Sequence, residues 1–201
     1  TSDALTADVI ATQIVITTQP ASIVSGVSMT QPVLEYRDAG NLIDVDVDTV
    51  VITITDNAAG SITAGATATA SNGVVTFAGT IYSALADQEV VTLTFTDDGA
   101  GLDLSGAPVS SGALTADVVA TKIIFATEAS GCVSAVACTT QPIINAVNAD
   151  DILDTGFTDG ANVVTLTKAT GAGSFAVGGT QTFASGIATF AGTTLTASAA
   201  D

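Results

Sequence analysis

The chain repeats itself at a long, nearly fixed interval, and that constrains its fold more than any other feature. Ala4-Leu5-Thr6-Ala7-Asp8-Val9 returns as Ala113-Leu114-Thr115-Ala116-Asp117-Val118, an offset of 109 residues. Thr30-Gln31-Pro32 returns at Thr140-Gln141-Pro142, offset 110, and Thr76-Phe77-Ala78-Gly79 at Thr189-Phe190-Ala191-Gly192, offset 113. Self-similarity at a fixed period marks an array in which each copy is one folding unit. A period near 110 is too long for a solenoid repeat and matches one small β-domain. The growing offset means that the second copy carries short insertions.

Within each copy, apolar residues alternate with Thr or Ser. Val50-Val51-Ile52-Thr53-Ile54-Thr55 and Val90-Val91-Thr92-Leu93-Thr94-Phe95-Thr96 both show it. Period two with β-branched residues predicts strands half buried on a sheet face. Asn72-Gly73 reads as a type I′ hairpin turn, and Ser185-Gly186 stands at the matching place. The first copy is expected to hold seven strands, near 12–18, 31–37, 48–55, 61–70, 73–81, 90–96 and 112–118. That is the pattern of an antiparallel β-sandwich. The expected fold class is therefore all-β, two tandem immunoglobulin-like sandwiches: 10–118 and 119–201. Residues 1–9 read as the closing strand of a preceding or neighbouring domain. No Pro- or Ser-rich linker separates the copies, which favours a stiff junction.

Aligned by the later offset, the second copy stops before counterparts of Val90–Thr96 and Ala113–Val118. A sandwich without those strands exposes an apolar groove and unpaired edges. The expectation is that following sequence completes it, or that a neighbouring subunit lends Ala4, Leu5, Thr6, Ala7, Asp8 and Val9 as a self-assembly strand. Strand lending is β-augmentation, and a head-to-tail contact of this kind propagates.

Three sets of residues carry the resemblance: Ala11-Thr12-Gln13-Ile14-Val15-Ile16-Thr17-Thr18-Gln19-Pro20; Thr30-Gln31-Pro32-Val33-Leu34-Glu35-Tyr36-Arg37-Asp38-Ala39-Gly40-Asn41; and Asn72-Gly73-Val74-Val75-Thr76-Phe77. Together they resemble the bacterial immunoglobulin-like repeats of invasin- and intimin-type surface proteins. The resemblance implies a sandwich fold, a place in adhesins, stalks or surface fibres, and no catalytic residues. The second copy departs from it where Asn145-Ala146-Val147-Asn148-Ala149-Asp150-Asp151 replaces the Arg-Asp-Ala-Gly-Asn turn.

Charge narrows the partners. Three Lys and Arg stand against 20 Asp and Glu, a formal charge of −17. Such a surface repels phosphate backbones and anionic membranes, so no nucleic acid is expected. No apolar run approaches the roughly 18–20 residues a membrane-crossing helix needs, so no membrane insertion is expected. The partners expected are copies or neighbouring repeats of itself, with glycan or a host-surface protein as the adhesive alternative. His is absent, which removes the commonest general base, and the chain is expected not to be an enzyme.

Two small clusters bear on chemistry. Cys132 and Cys138, with five residues between them, lack the partners of a zinc site and the spacing of a redox motif. A disulfide closing a short loop is expected, with two reduced thiols as the alternative; the disulfide places the chain outside the reducing cytosol, extracellular or on the cell surface. Asp44-Val45-Asp46-Val47-Asp48 sets three carboxylates on one face of an extended segment, with Asp38 and Asn41 just upstream. Asp150, Asp151 and Asp154 (with Asp159) recur in the second copy, and Asp97, Asp98 and Asp103 form a third acidic loop. No cofactor is required, but oxygen-rich loops can hold calcium, against the plainer reading of a solvated acidic face. Asp154-Thr155-Gly156 matches the aspartic-protease tripeptide; that mechanism needs two carboxylates sharing a proton, and with no second Asp-Thr-Gly or Asp-Ser-Gly in the chain only a symmetric dimer could supply the partner. A turn is the ordinary reading.

Overall fold

The computed structural model describes residues 7–99, 108–171, 173–177 and 179–198, and among these every regular element is a β-strand. The chain divides into two compact units, Thr1–Asp117 and Val118–Asp201.

Unit 1 holds β1 (Gln13–Thr18), β2 (Val33–Arg37), β3 (Val51–Asp56), β4 (Ser61–Ala64), β5 (Thr67–Thr69) and β6 (Val74–Thr76). It continues with β7 (Ile81–Ser83), β8 (Glu89–Val91), β9 (Leu93–Asp97), β10 (Val109–Ser110) and β11 (Leu114–Ala116). Two sheets, ordered β1-β2-β6 and β10-β9-β3-β5, are accompanied by the strand pairs β4-β7 and β11-β8. The alternation in β3 does what period two requires: Ile52 and Ile54 are buried, while Thr53 and Thr55 face water. Leu34, Tyr36, Val75 and Phe77 from one sheet and Ile52, Ile54, Leu93 and Phe95 from the other are all buried. Phe77 and Phe95 meet with ring centroids 5.5 Å apart. This is an all-β sandwich core, each large side chain contributing about 1.5–3 kcal/mol of burial.

Three of the expected strands are each two. The stretch 61–70 breaks into β4 and β5, 73–81 into β6 and β7, and 90–96 into β8 and β9. The reason is a change of partner: β4 pairs with β7 but β5 with β3, and β6 pairs with β2. Gly65, at φ +62°, makes the first corner, where a Cβ would lie 2.7 Å from the Thr80 nitrogen. Thr80 is fully buried and donates its hydroxyl to the Gly65 carbonyl at 3.0 Å, tying one corner to the other. Asn72 and Gly73 have φ of +49° and +74°, the left-handed pair of a type I′ turn. That turn joins strands of different sheets, so the expected hairpin ladder reduces to one bridge, Ser71 to Val74.

Unit 2 holds β12 (Lys122–Thr127), β13 (Ile143–Val147), β14 (Asp159–Thr165), β15 (Ser174–Val177), β16 (Thr180–Phe183), β17 (Ile187–Thr189) and β18 (Thr194–Thr196). Its sheets β12-β13-β17, β14-β16 and β15-β18 reproduce β1-β2-β6, β3-β5 and β4-β7. Even the irregularity late in the first ladder recurs, between Ile16 and Thr18 and between Phe125 and Thr127. The core is Ile144, Ala146, Phe183, Ala188 and Phe190, with Phe157, Val164 and Leu166 packed against it. Phe157 meets Phe183 edge to face at 5.1 Å. Among the described residues, unit 2 has no strands corresponding to β8, β9, β10 or β11.

Candidate functional site

The acidic residues take up positions as turn caps. Asp38 Oδ1 accepts the amides of Gly40 and Leu42, each at 2.8 Å, and lets Asn41 adopt φ +66°. Asn148 does the same in unit 2, accepting Asp150 and Ile152 amides at 3.0 and 2.9 Å, with Asp151 at φ +66°. The segment that departs from the resemblance thus builds the same turn from different residues.

Asp44 and Asp154 each hold the residue two places before the first strand of their unit. Asp44 is 5% exposed and accepts the Ala11 amide at 2.8 Å; Asp154 is 7% exposed and accepts the Ala120 amide at 2.8 Å. The expected extended run Asp44–Asp48 is instead a turn, because Asp44 and Val47 both point inward while Val45 and Asp46 face water. The Asp46 amide bonds back to Asp44 Oδ1 at 3.2 Å, and Asp48 Oδ1 accepts the Asn72 amide at 2.8 Å. Asp151 forms an exposed ion pair with Lys122 at 2.9 Å, and Asp150 is exposed. Among the described residues no three acidic, His or Cys side chains come together in a way that could hold a metal ion. Asp97 receives the Tyr36 hydroxyl at 3.4 Å. Asp103 lies outside the described residues, as do Ala4, Leu5 and Thr6.

Glu89 belongs to the same class of clamp and left no sequence signal, being one acid among many. Its carboxylate accepts the amides of Ala59 at 2.7 Å, Gly60 at 3.0 Å and Leu85 at 3.1 Å. Burial pushes the Glu89 carboxyl upward, but these three amides outweigh it and leave the group below its ordinary value.

Cys132 and Cys138 form a disulfide. The hydrogen bonds around it show which residues they replace. Met29 and Cys138 both donate their amides to a Thr carbonyl, of Thr80 and Thr193, each at 3.0 Å. Gly26 and Ala135 donate to Tyr82 and Leu195 at 2.9 and 2.8 Å. In that register Cys132 stands where Ile23 does and Cys138 where Met29 does, and Ile23 and Met29 are buried core residues of unit 1. The disulfide substitutes for an apolar pair at the rim of the core.

Beside it lies an exposed apolar surface of unit 2. In unit 1, β3 is flanked by β5 on one edge and β9 on the other; in unit 2, β14 pairs with β16 alone among the described strands. Ile52 and Ile54 are 0% and 3% exposed, whereas Val164 and Leu166, their counterparts beside the same ladder, are only half-buried. Ile123 and Phe125 of β12 are 53% and 54% exposed, while Ile14 and Ile16 of β1 are half-buried. A groove of about 240 Å³ runs between β12 and β14, lined by Ile123, Phe125, Ile144, Val164 and Leu166. A second, of about 270 Å³, continues it past Phe125 to Phe175, Leu195 and the disulfide. Val91, Leu93, Phe95 and Ala116, each fully buried in unit 1, sit on β8, β9 and β11, strands without unit 2 counterparts among the described residues.

No protein-family model matches the chain, and no curated protein matches it. A solved structure of domains 5–6 of the S-layer protein SbsC aligns with 92% of this chain and 86% of that one, at 14% identity and a TM-score of 0.32.

Proposed function

We propose that the chain is a non-catalytic structural module of an extracellular filament, stalk or large adhesin, assembled from β-domains end to end. In this reading unit 2 is completed by β-strands supplied from beyond its described residues, by a continuing repeat array or by a neighbouring copy. The observation that carries it is the open face between β12 and β14, on the side where unit 1 seats β9 against β3 and β10 against β9. Burying one exposed Ile or Phe is worth about 1.5–3 kcal/mol. Ile123 and Phe125, with Val164 and Leu166 only half-buried beside them, therefore make the face a strong acceptor for an apolar strand. Among the described strands β14 pairs with β16 alone, and its other edge suits the addition of a strand in register.

The disulfide supports an oxidising compartment outside the cytosol. The formal charge of −17 keeps a chain that is 47% hydrophobic in solution and repels nucleic acid and anionic lipid. The buried carboxylates are occupied with backbone amides, which suits them to holding turns. Electron microscopy of the native material, together with its mass, tests the reading. Long regular fibres or rods are expected. Isolated particles with the 19.6 kDa mass of a single chain would overturn it.

A further inference from the structure

We infer that residues Ala4–Val9 of a second copy of this chain form the strand that closes unit 2 along Cys132–Ser134. This rests on the assembly reading above and names the donor and its register.

Unit 1 shows what the closing strand does. Ala113–Val118 carries β11, which pairs antiparallel with β8, and just beyond β11 Asp117 bridges to Val24 in parallel. Asp117 donates its amide to the Ile23 carbonyl at 2.9 Å, and its carbonyl accepts the Ser25 amide at 2.8 Å. In unit 2 the matching residues are Cys132, Val133 and Ser134. Their loop is already held in the same shape. Val27 donates to Val24 at 3.0 Å and Val136 to Val133 at 2.9 Å. Ser25 Oγ accepts the Ala84 amide at 3.0 Å, and Ser134 Oγ accepts the Ala197 amide at 3.1 Å. Among the described residues no backbone group pairs with the Cys132 carbonyl or the Ser134 amide. Val133 beside them is 63% exposed. A loop prearranged in this way binds without the cost of ordering itself.

The donor is chosen by sequence identity and by the residues immediately after it. Ala4-Leu5-Thr6-Ala7-Asp8-Val9 is the same six residues as Ala113–Val118. Each is succeeded by an apolar residue, an Ala and a Thr: Ile10-Ala11-Thr12 and Val119-Ala120-Thr121. In each case the Ala amide is held by a buried Asp, Asp44 or Asp154. A copy that inserts Ala4–Val9 into unit 2 of another therefore repeats between chains the order of strand, junction and clamp that links unit 1 to unit 2 within one. Asp8 would donate to the Cys132 carbonyl and accept from Ser134. Ala7, Asp8 and Val9 lie outside any strand of their own unit, and Asp8 is exposed, so they are free to be lent. The contact is head to tail and grows without closing.

The test uses the intact, oxidised 201-residue chain and an Asp8→Pro variant. Proline removes the amide that would bond Cys132 and sits at a solvent-exposed site outside the strands of unit 1. Sedimentation of the unaltered chain is expected to show mass rising with concentration. Hydrogen exchange at Ser134 should slow at least tenfold in the assembled fraction. Asp8→Pro, or excess synthetic hexapeptide Ala-Leu-Thr-Ala-Asp-Val, should abolish the mass increase while unit 1 melts as before. An unaltered chain that stays monomeric with Ser134 exchanging freely overturns the inference. So does assembly that survives Asp8→Pro. If native material still forms fibres in either case, the donor strand alone is wrong; native single-chain particles overturn the wider reading as well.

Discussion

Asp44, Asp154 and Glu89 are acids whose work is to hold backbone amides in place. A buried amide that loses a charged acceptor keeps its desolvation penalty, about 1–3 kcal/mol. Asp44→Ala strands the Ala11 amide in a site 5% exposed and should destabilise unit 1 by that amount. Asp154→Ala should do the same to unit 2 through Ala120, leaving unit 1 unchanged. Urea unfolding followed separately in the two units would show it, and an unchanged midpoint would contradict the clamp. Glu89 gives a pH dependence with a definite sign. Its folded value lies below the ordinary 4.5, so its contribution is complete above 4.5 and is lost as pH falls through the lower folded value. Glu89→Gln should remove that part of the acid sensitivity of unit 1, read as a flatter stability curve on the acid side.

At the scale of elements, strands change sheets at corners, and the corners are where small or left-handed residues are required. Gly73 and Gly186 make the same close approach. An added Cβ would come within 2.2 Å of the carbonyl oxygen of Asp44 in one unit and Asp154 in the other. The disulfide loop is an element that unit 2 builds differently, placing a covalent bond where unit 1 places Ile23 and Met29. Closing so short a loop stabilises by about 2 kcal/mol in the chain-entropy account. Reduction should therefore lower the unfolding free energy of unit 2 by about that much and leave unit 1 alone. Calorimetry with and without reductant checks this, and equal loss in both units would refute it.

On the scale of the whole chain the two units differ in the strands described for each and in titratable core. Both tyrosines, Tyr36 and Tyr82, are fully buried in unit 1. Burial first, then the Asp97 carboxylate, pushes the Tyr36 hydroxyl far above its ordinary 10.0. Burial and Glu89 push Tyr82 up to about 12. Raised folded values mean that their contribution is intact below pH 10 and lost as pH climbs from 10 through those values. Alkaline titration should release both phenolates only as unit 1 unfolds, while unit 2, which has no tyrosine, is unaffected by this route. Phenolate absorbance rising near pH 10 with unit 1 still folded would contradict it.

Much of the fold was legible in the residues alone, and for a local reason. Alternation of Val, Ile and Thr with β-branched stiffness declares strands, the internal repeat declares two units, and the spacing of Cys132 and Cys138 suits a small loop. Each of these depends on residues close in sequence. What sequence alone could not decide was partner choice. The stretches 61–70, 73–81 and 90–96 each read as one strand, because nothing local distinguishes a strand that stays in its sheet from one that turns into the next. Nor could it show that Asp38 and Asn148 cap equivalent turns, that Cys132 and Cys138 replace Ile23 and Met29, or that Asp44 and Asp154 point inward to a distant amide. Such facts depend on pairs separated by tens of residues, and a hydrogen bond between them has no counterpart in local pattern. The alternation of side chains is set by the backbone itself; the destination of each face is set only when the sheets meet.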